Sequence, residues 1–164
     1  MGKTFKHDEI ERKFLVLERP PLVGVNKKHI LQYYITANGD EETRLRLENG
    51  VRCYMVRKSG SGMVRKEEQV EIPAFWFSAL KVLSVSATIR KTRWLIPYRG
   101  VIIELDIYGG ELKGLVVAEV EFASRRAAMR FVPPAWFGQE VTGCQEYTNR
   151  NLATRGFDSR MSGS

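Results

Sequence analysis

From about position 8 to position 122 the chain reads as short runs in which apolar and polar residues alternate, separated by turn-forming pairs. Period-two alternation places successive side chains on opposite faces of a β-strand. Strands are predicted over roughly 8–17, 29–36, 42–48, 51–58, 65–72, 87–96, 101–108 and 115–122. Turn signals separate them at Asn38-Gly39-Asp40, Asn49-Gly50, Ser59-Gly60-Ser61-Gly62, Arg99-Gly100 and Gly109-Gly110. Three helices are expected. One starts near Pro73 and runs to about Leu83, one follows Ser124 as N-cap, and one covers about Gln145 to Thr154 and stops before Gly156. Pro133-Pro134 separates the last two. Eight strands and few helices predict an α+β fold, mainly antiparallel β, of a kind able to close into a barrel. There is no internal repeat or linker, so residues 1–156 read as one domain and 157–164 as a polar tail.

The polar half of this alternation is where the sequence departs from an ordinary sheet. In the first strand Glu9, Glu11 and Lys13 share one face. Arg44 and Arg46 flank Leu45, Lys91 and Arg93 flank Thr92, Glu104 and Asp106 flank Leu105, and Glu119 and Glu121 flank Val120. Glu67, Lys58 and Arg65 fall on the same side by register. Exposed strand faces commonly carry charge, and cross-strand ion pairs there contribute little. The other reading is that the apolar faces are covered and the charged faces converge on one interior. Such an interior would hold both signs in balance and host a hard cation and a polyphosphate together.

One hairpin tests this. A two-residue turn at Asn49-Gly50 would send Arg57 inward and Lys58 out. A three-residue loop, Glu48-Asn49-Gly50, would pair Arg46 with Arg52 and turn Lys58 in beside Arg44 and Arg46. The convergent reading requires the longer loop.

Charge and cysteine content narrow the class. Lys and Arg outnumber Asp and Glu by 26 to 19, a formal charge of +7. That favours polyanions in general: nucleotides, polyphosphate, nucleic acid or anionic lipid. Two cysteines, Cys53 and Cys144, form no CxxC or Cys/His cluster, which argues against zinc; both read as small buried hydrophobes. His7 has no ligand-spaced partner and reads as exposed. Trp76, Trp94 and Trp136 read as packing residues, as does Met129 with Phe131. The first residues carry no apolar signal segment and no run is long enough to span a bilayer, so a cytoplasmic location is expected.

The segment Glu9-Ile10-Glu11-Arg12-Lys13-Phe14-Leu15-Val16 resembles the ExExK signature of the CYTH, or triphosphate tunnel metalloenzyme, family. The resemblance continues through Gln32-Tyr33-Tyr34, Arg44-Leu45-Arg46, Lys58, Arg65-Lys66-Glu67, Lys91-Thr92-Arg93, Glu104-Leu105-Asp106, Glu119-Val120-Glu121-Phe122, Trp136-Phe137-Gly138, Glu140-Val141-Thr142, Tyr147-Thr148-Asn149 and Leu152. It implies an eight-stranded closed antiparallel barrel forming a tunnel, with about three helices outside. It implies Mg²⁺ or Mn²⁺ held by Glu9, Glu11, Glu119, Glu121 and Asp106. Lys13, Arg44, Arg46, Lys58, Arg65 and Arg93 would bind phosphates, and Lys91 with Tyr34 would orient or deprotonate the attacking water. Glu104 and Asp106 would tune the basic residues or join the metal shell. The chain departs from the family pattern at Gln69, where a second acid is usual, and at Arg57, where an apolar residue is usual.

The expected activity is metal-dependent hydrolysis of a triphosphate, foremost inorganic tripolyphosphate to pyrophosphate and phosphate. The alternatives are a class IV-like adenylate cyclase, a nucleoside or thiamine triphosphatase, or a non-catalytic binder of polyphosphate or nucleic acid. The partner expected is a small triphosphate, with no membrane and no nucleic acid, in a monomer or homodimer. Arg12, between the two glutamates, is expected to point outward.

Overall fold

The computed structural model describes residues 4–157, so the predicted tail lies outside the described residues except for Phe157. Nine strands form: β1 (Thr4–Val16), β2 (Asn26–Asn38), β3 (Glu41–Glu48), β4 (Arg52–Ser59), β5 (Val64–Glu71), β6 (Ile89–Tyr98), β7 (Val101–Gly109), β8 (Val116–Glu121) and β9 (Phe137–Glu140). The eight expected strands are all present. The short β9 was not anticipated, because Trp136-Phe137-Gly138 lacks an alternating run. Strand order is β5-β4-β3-β2-β6-β7-β8-β1-β9, and a further β5–β1 pairing closes the first eight into an antiparallel barrel. Closure removes the free edges of those eight strands.

Two of the three apolar clusters lie outside the barrel wall. Phe14, Ile103, Leu105, Ala118, Val120 and Phe122 alternate with the charged positions and form the largest cluster, with Phe137 of β9. Ala128 of α2 (Arg125–Arg130) packs into it, and Phe131 just beyond the helix meets Phe122 edge to face, with ring centroids 5.2 Å apart. Each of the larger side chains here, valine to phenylalanine, contributes about 1.5–3 kcal/mol when removed from water. Ser124 caps α2, its hydroxyl accepting from Ala127 N at 3.1 Å. Helix α1 (Ala74–Leu80) lays Phe77 and Leu80 over Leu45 and Cys53.

The third helix is shorter than predicted. Gln145–Tyr147 form a 3-10 turn, and α3 starts only at Asn149, running to Arg155. Thr148 takes an extended conformation to accept from Asn151 N, which breaks the run. Leu152 and Ala153 of α3 pack with Tyr34, Ile89, Tyr108 and Val117, and Phe157 joins them. By strand alternation these four point inward, so α3 closes one end of the barrel.

The test hairpin has a three-residue loop, shifted by one position from the expected one. It comprises Asn49-Gly50-Val51, with Glu48 opposite Arg52, Arg46 opposite Tyr54 and Glu42 opposite Lys58. Asn49 (φ 52°) and Gly50 (φ 71°) both occupy the left-handed region. The shift follows from β2: Asn49 Oδ1 accepts from His29 N and Asn49 N donates to His29 O, both at 2.8 Å. These bonds extend the β2–β3 ladder and push the turn onward. The strand parity is unchanged, so Lys58 points in and Arg57 out, 3.2 Å from Glu41.

Arg12 also points out. Its guanidinium bonds Glu140 through Nε and Nη2 at 2.8 and 2.6 Å and lies over Phe14 and Phe131. Three packing expectations need correction. Trp76 is about half exposed and touches only Phe75 among the aromatics, because α1 is short and turns Phe77 and Leu80 inward. Met129 is exposed, since α2 offers Ala128 to the core instead. Cys144 is half-buried, whereas Cys53 is buried as expected. No described helix is long and apolar enough to cross a membrane.

Candidate active site

The barrel interior is a cavity walled by charged side chains from all eight strands. Glu9, Glu11, Lys13, Arg44, Arg46, Lys58, Arg65, Glu67, Lys91, Arg93, Glu104, Glu119 and Glu121 line it together. The ladder explains the clustering: Glu11 faces Glu121, Lys13 faces Glu119, Glu104 faces Glu119, and Glu9 faces Arg65. His7 is exposed, as expected, and at the cavity's edge its Nε2 sits 3.2 Å from Glu121.

Two ion-pair centres organise the wall. In the first, Arg93 bonds Asp106 Oδ1 and Oδ2, each at 2.7 Å, and Glu119 at 2.6 Å, and also donates to Glu104. Lys91 Nζ bonds the same Asp106 at 2.5 Å. In the second, Lys58 Nζ lies 2.5 Å from Glu9 and 3.0 Å from Glu67. Lys13 joins the first centre through Glu119 at 2.8 Å.

These contacts divide the protonation states. Burial pushes the Glu119 carboxyl up, but Lys13, Lys91 and Arg93 outweigh it and hold it well below the ordinary range. Glu11 goes the other way: burial raises it, and the neighbouring Glu119 and Glu9 carboxylates raise it further. Among the described residues Glu11 has no ion-pair partner at all. Lys91 is lowered by burial despite Asp106. Glu67, raised by burial, is carried down to about 2 by Lys58 and Arg44.

The Glu67 shift has a direct consequence. Its folded-state value lies below the ordinary 4.5, so its stabilising pairing is complete above that pH and is lost as pH falls toward 2. The difference is worth about 3 kcal/mol. Urea unfolding between pH 5 and pH 2 should show this loss, and Glu67→Gln should flatten the slope. An unchanged slope in the variant would assign acid sensitivity elsewhere.

Two expected site residues fall outside the lining. Asp106 is fully buried, and both its oxygens are occupied by Arg93 and Lys91, so it is not positioned as a metal ligand. Strand parity put it on the right face, but its depth beneath Arg93 hides it. Tyr34 is 1% exposed and sits in the cluster under α3, its hydroxyl 3.4 Å from Arg44 Nη1. It is placed to support Arg44 rather than to touch a reacting atom.

Other lining residues escaped the sequence reading. Glu42 and Glu48 flank the arginine pair at the same period, in Glu42-x-Arg44-x-Arg46-x-Glu48, and both are buried. Glu42 lies 3.4 Å from Arg44, and Glu48 lies 3.2 Å from Arg46. Their alternation was available in the sequence. Gln69 accepts from Arg46 Nη2 where an acid was the family expectation. Arg150 of α3 reaches the mouth and donates to Gly39 O, a placement that no strand periodicity encodes.

Among the described residues no three acid, histidine or cysteine side chains stand as a preformed metal cluster. Glu9 is held by Lys58, and Glu119 by Lys13 and Arg93. The donor set nevertheless fits a hard divalent ion in kind. It is all carboxylate oxygen, and the crowding that raises Glu11 is what a cation between these groups would relieve.

Comparison with known proteins agrees with this architecture. No family model matches the chain. It is 39% identical over 148 residues to an inorganic triphosphatase of Nitrosomonas europaea, covering 88% of this chain and 96% of that protein. It is 34% identical over 153 residues to an inorganic triphosphatase of Acetivibrio thermocellus, covering 93% and 94%. A solved inorganic triphosphatase structure superposes with a TM-score of 0.66 at 37% identity, over 88% of this chain and 93% of that one. Matching two such enzymes at 34–39% identity over nearly its full length, and sharing their barrel, the chain belongs to the inorganic triphosphatase family.

Proposed function

We propose that this protein hydrolyses inorganic tripolyphosphate to pyrophosphate and phosphate inside the barrel, as a triphosphate tunnel enzyme of the CYTH type. The observation that carries the reading is the mixed wall: arginines and lysines sized for phosphate beside an acid, Glu11, that has no ion-pair partner among the described residues. A non-catalytic anion binder gains nothing from a half-buried carboxylate crowded by other carboxylates.

Arg44, Arg46, Lys58, Arg65 and Arg93 would grip phosphate oxygens, with the guanidinium forks fixing orientation. Lys13 would add charge from β1. Glu9, Glu11, Glu119 and Glu121 would hold Mg²⁺ or Mn²⁺, which when bound supplies charge neutralisation and polarisation of the phosphates. Lys91 would take the water proton. Burial lowers its hold on its own proton, and the bond to Asp106 aims it. Asp106 and Glu104 would hold Arg93 in place. The transition state is loose, so positioning and charge supply most of the rate.

The test is a substrate panel with Mg²⁺ or Mn²⁺: tripolyphosphate, ATP and thiamine triphosphate, with phosphate and cyclic AMP measured. Phosphate release from tripolyphosphate, abolished by EDTA, is the expected result. Cyclic AMP from ATP would instead favour the cyclase reading. Absence of tripolyphosphate turnover at micromolar enzyme would reject the proposal.

A further inference from the structure

Helix α1 runs without a break into a 3-10 turn, Lys81–Leu83, and the joined segment is apolar almost all round. Between Ala74 and Leu83 only Ser78 and Lys81 are polar. A helix on a protein surface keeps its outer side polar, and one that is apolar on every side is ordinarily buried. The other two helices follow that rule, exposing Arg125, Arg126 and Arg130 on α2 and Thr154 and Arg155 on α3. Helix α1 does not. Phe77 and Leu80 face the barrel, while Phe75, Trp76, Val82 and Leu83 are 73, 55, 76 and 56% exposed. These four form one outer stripe, because a spacing of seven positions, 75 to 82 and 76 to 83, returns to the same side of a helix. They leave roughly 500 Å² of apolar surface in water, near the top of what a monomer shows in one patch.

The order of residues in the stripe says what covers it. It is symmetric about Ala79, which is small and exposed. The aromatic pair Phe75-Trp76 stands on one side and the aliphatic pair Val82-Leu83 at the same distance on the other. Two copies laid antiparallel about a two-fold axis at Ala79 set the aromatic pair of each against the aliphatic pair of the other. The small residue then falls where the two backbones approach. An isologous contact demands this self-complementarity. The segment has no acid and one base, so a charged partner has little to recognise. Pairing removes the stripe twice, about 1,000 Å², which reaches the area a specific interface needs. Barrel closure leaves the first eight strands no free edge, so association of the barrels falls to side-chain faces such as this one.

We propose that the protein forms a homodimer through α1 and its 3-10 extension, packed antiparallel about Ala79. The contact reaches the cavity wall indirectly. The inner side of α1 covers Leu45, the residue between Arg44 and Arg46 on β3. Association holds α1 against that strand and stabilises each barrel by mass action.

The test is sedimentation of the full chain from micromolar to submillimolar protein, with melting followed over the same range. Wild type should reach twice its 18.8 kDa mass, and its melting temperature should rise with concentration. A wild type that stays at 18.8 kDa throughout overturns the inference. Trp76→Glu should weaken the dimer at least about 100-fold, since a buried tryptophan at an interface is commonly an anchor. A Trp76→Glu protein that dimerises as tightly as wild type overturns the assignment of this surface. Far-UV circular dichroism checks that the barrel is intact. Should that variant fail to fold, Leu83→Lys is the second variant and must weaken the dimer too. The double variant, Trp76→Glu with Leu83→Lys, tests the antiparallel register. Each introduced carboxylate then meets the copy's introduced ammonium, twice by symmetry, so the double variant should dimerise about tenfold more tightly than either single one. A double variant no tighter than the singles rejects the register.

Discussion

Replacing Glu11 by Gln should reduce tripolyphosphate hydrolysis on the order of 1,000-fold while leaving the apo protein at least as stable as wild type. Both halves follow from one environment. Glu11 is the wall carboxylate that burial and the adjacent Glu119 and Glu9 push upward, with no cation of its own among the described residues. A group whose folded-state value is raised opposes folding once pH exceeds its ordinary value, because the ionised form is penalised only in the folded state. Gln keeps the shape and removes that penalty, so the apo melting temperature at neutral pH should hold or rise. Several kcal/mol of transition-state charge stabilisation would be lost with the metal contact, which converts to the stated rate factor. Calorimetry with added Mn²⁺ provides a readout independent of turnover. Wild type should gain melting temperature on titration, and the variant should gain much less. A variant that retains both turnover and the Mn²⁺ response would remove Glu11 from the proposed metal set.

Arg93→Met should be the most destabilising single substitution in the cavity, at about 3–5 kcal/mol. Arg93 is the common partner of Glu104, Asp106 and Glu119, and Asp106 is fully buried. Removing the guanidinium leaves three carboxylates facing one another with only Lys13 and Lys91 to offset them. At this chain length a loss of that size lowers the melting temperature by roughly 10 °C. Acidification should recover part of it, because Glu104 already lies above the ordinary carboxyl range through burial, and protonation relieves the repulsion. Arg93→Lys should restore only part, since an ammonium cannot reproduce the fork that spans Asp106. Urea unfolding of the three proteins at two pH values decides the matter. A drop below about 1 kcal/mol would mean that the acids have other partners.

Period-two alternation was sufficient to read the barrel strands and to assign the inward face, because a strand offers only two faces and charge marks one of them. Lys58 illustrates this well: the demand that it share a face with Arg44 and Arg46 ruled out the tighter hairpin. The loop position was misjudged by one residue because Asn49 is drawn into the β2 ladder by His29, a tertiary contact that the turn sequence does not announce. Parity also carries no information on depth. Glu104 and Asp106 are equivalent by alternation, yet one lines the cavity and the other is sealed beneath Arg93. The same holds for Tyr34, which is on the inward face but packs beyond the cavity lining, under α3. Arg150 was illegible because it reaches the site from a helix that caps the barrel end, and helical periodicity does not distinguish a cap from a flank.

The β1 pairings carry a consequence for how the chain acquires its structure. This strand pairs with residues 64–70 of β5, with 117–121 of β8 and with 137–140 of β9. No ladder joins it to the strand that follows it in sequence. During synthesis β1 therefore emerges well before any of its partners and must wait for them as an unpaired strand. Such high contact order slows folding and prolongs the exposure of an adhesive backbone edge. The acids and bases of Glu9-Ile10-Glu11-Arg12-Lys13 break up the apolar content of the waiting segment, as gatekeeper charges do. The charges that face the cavity in the finished barrel thus also interrupt the apolar content of the strand that waits longest for its partners.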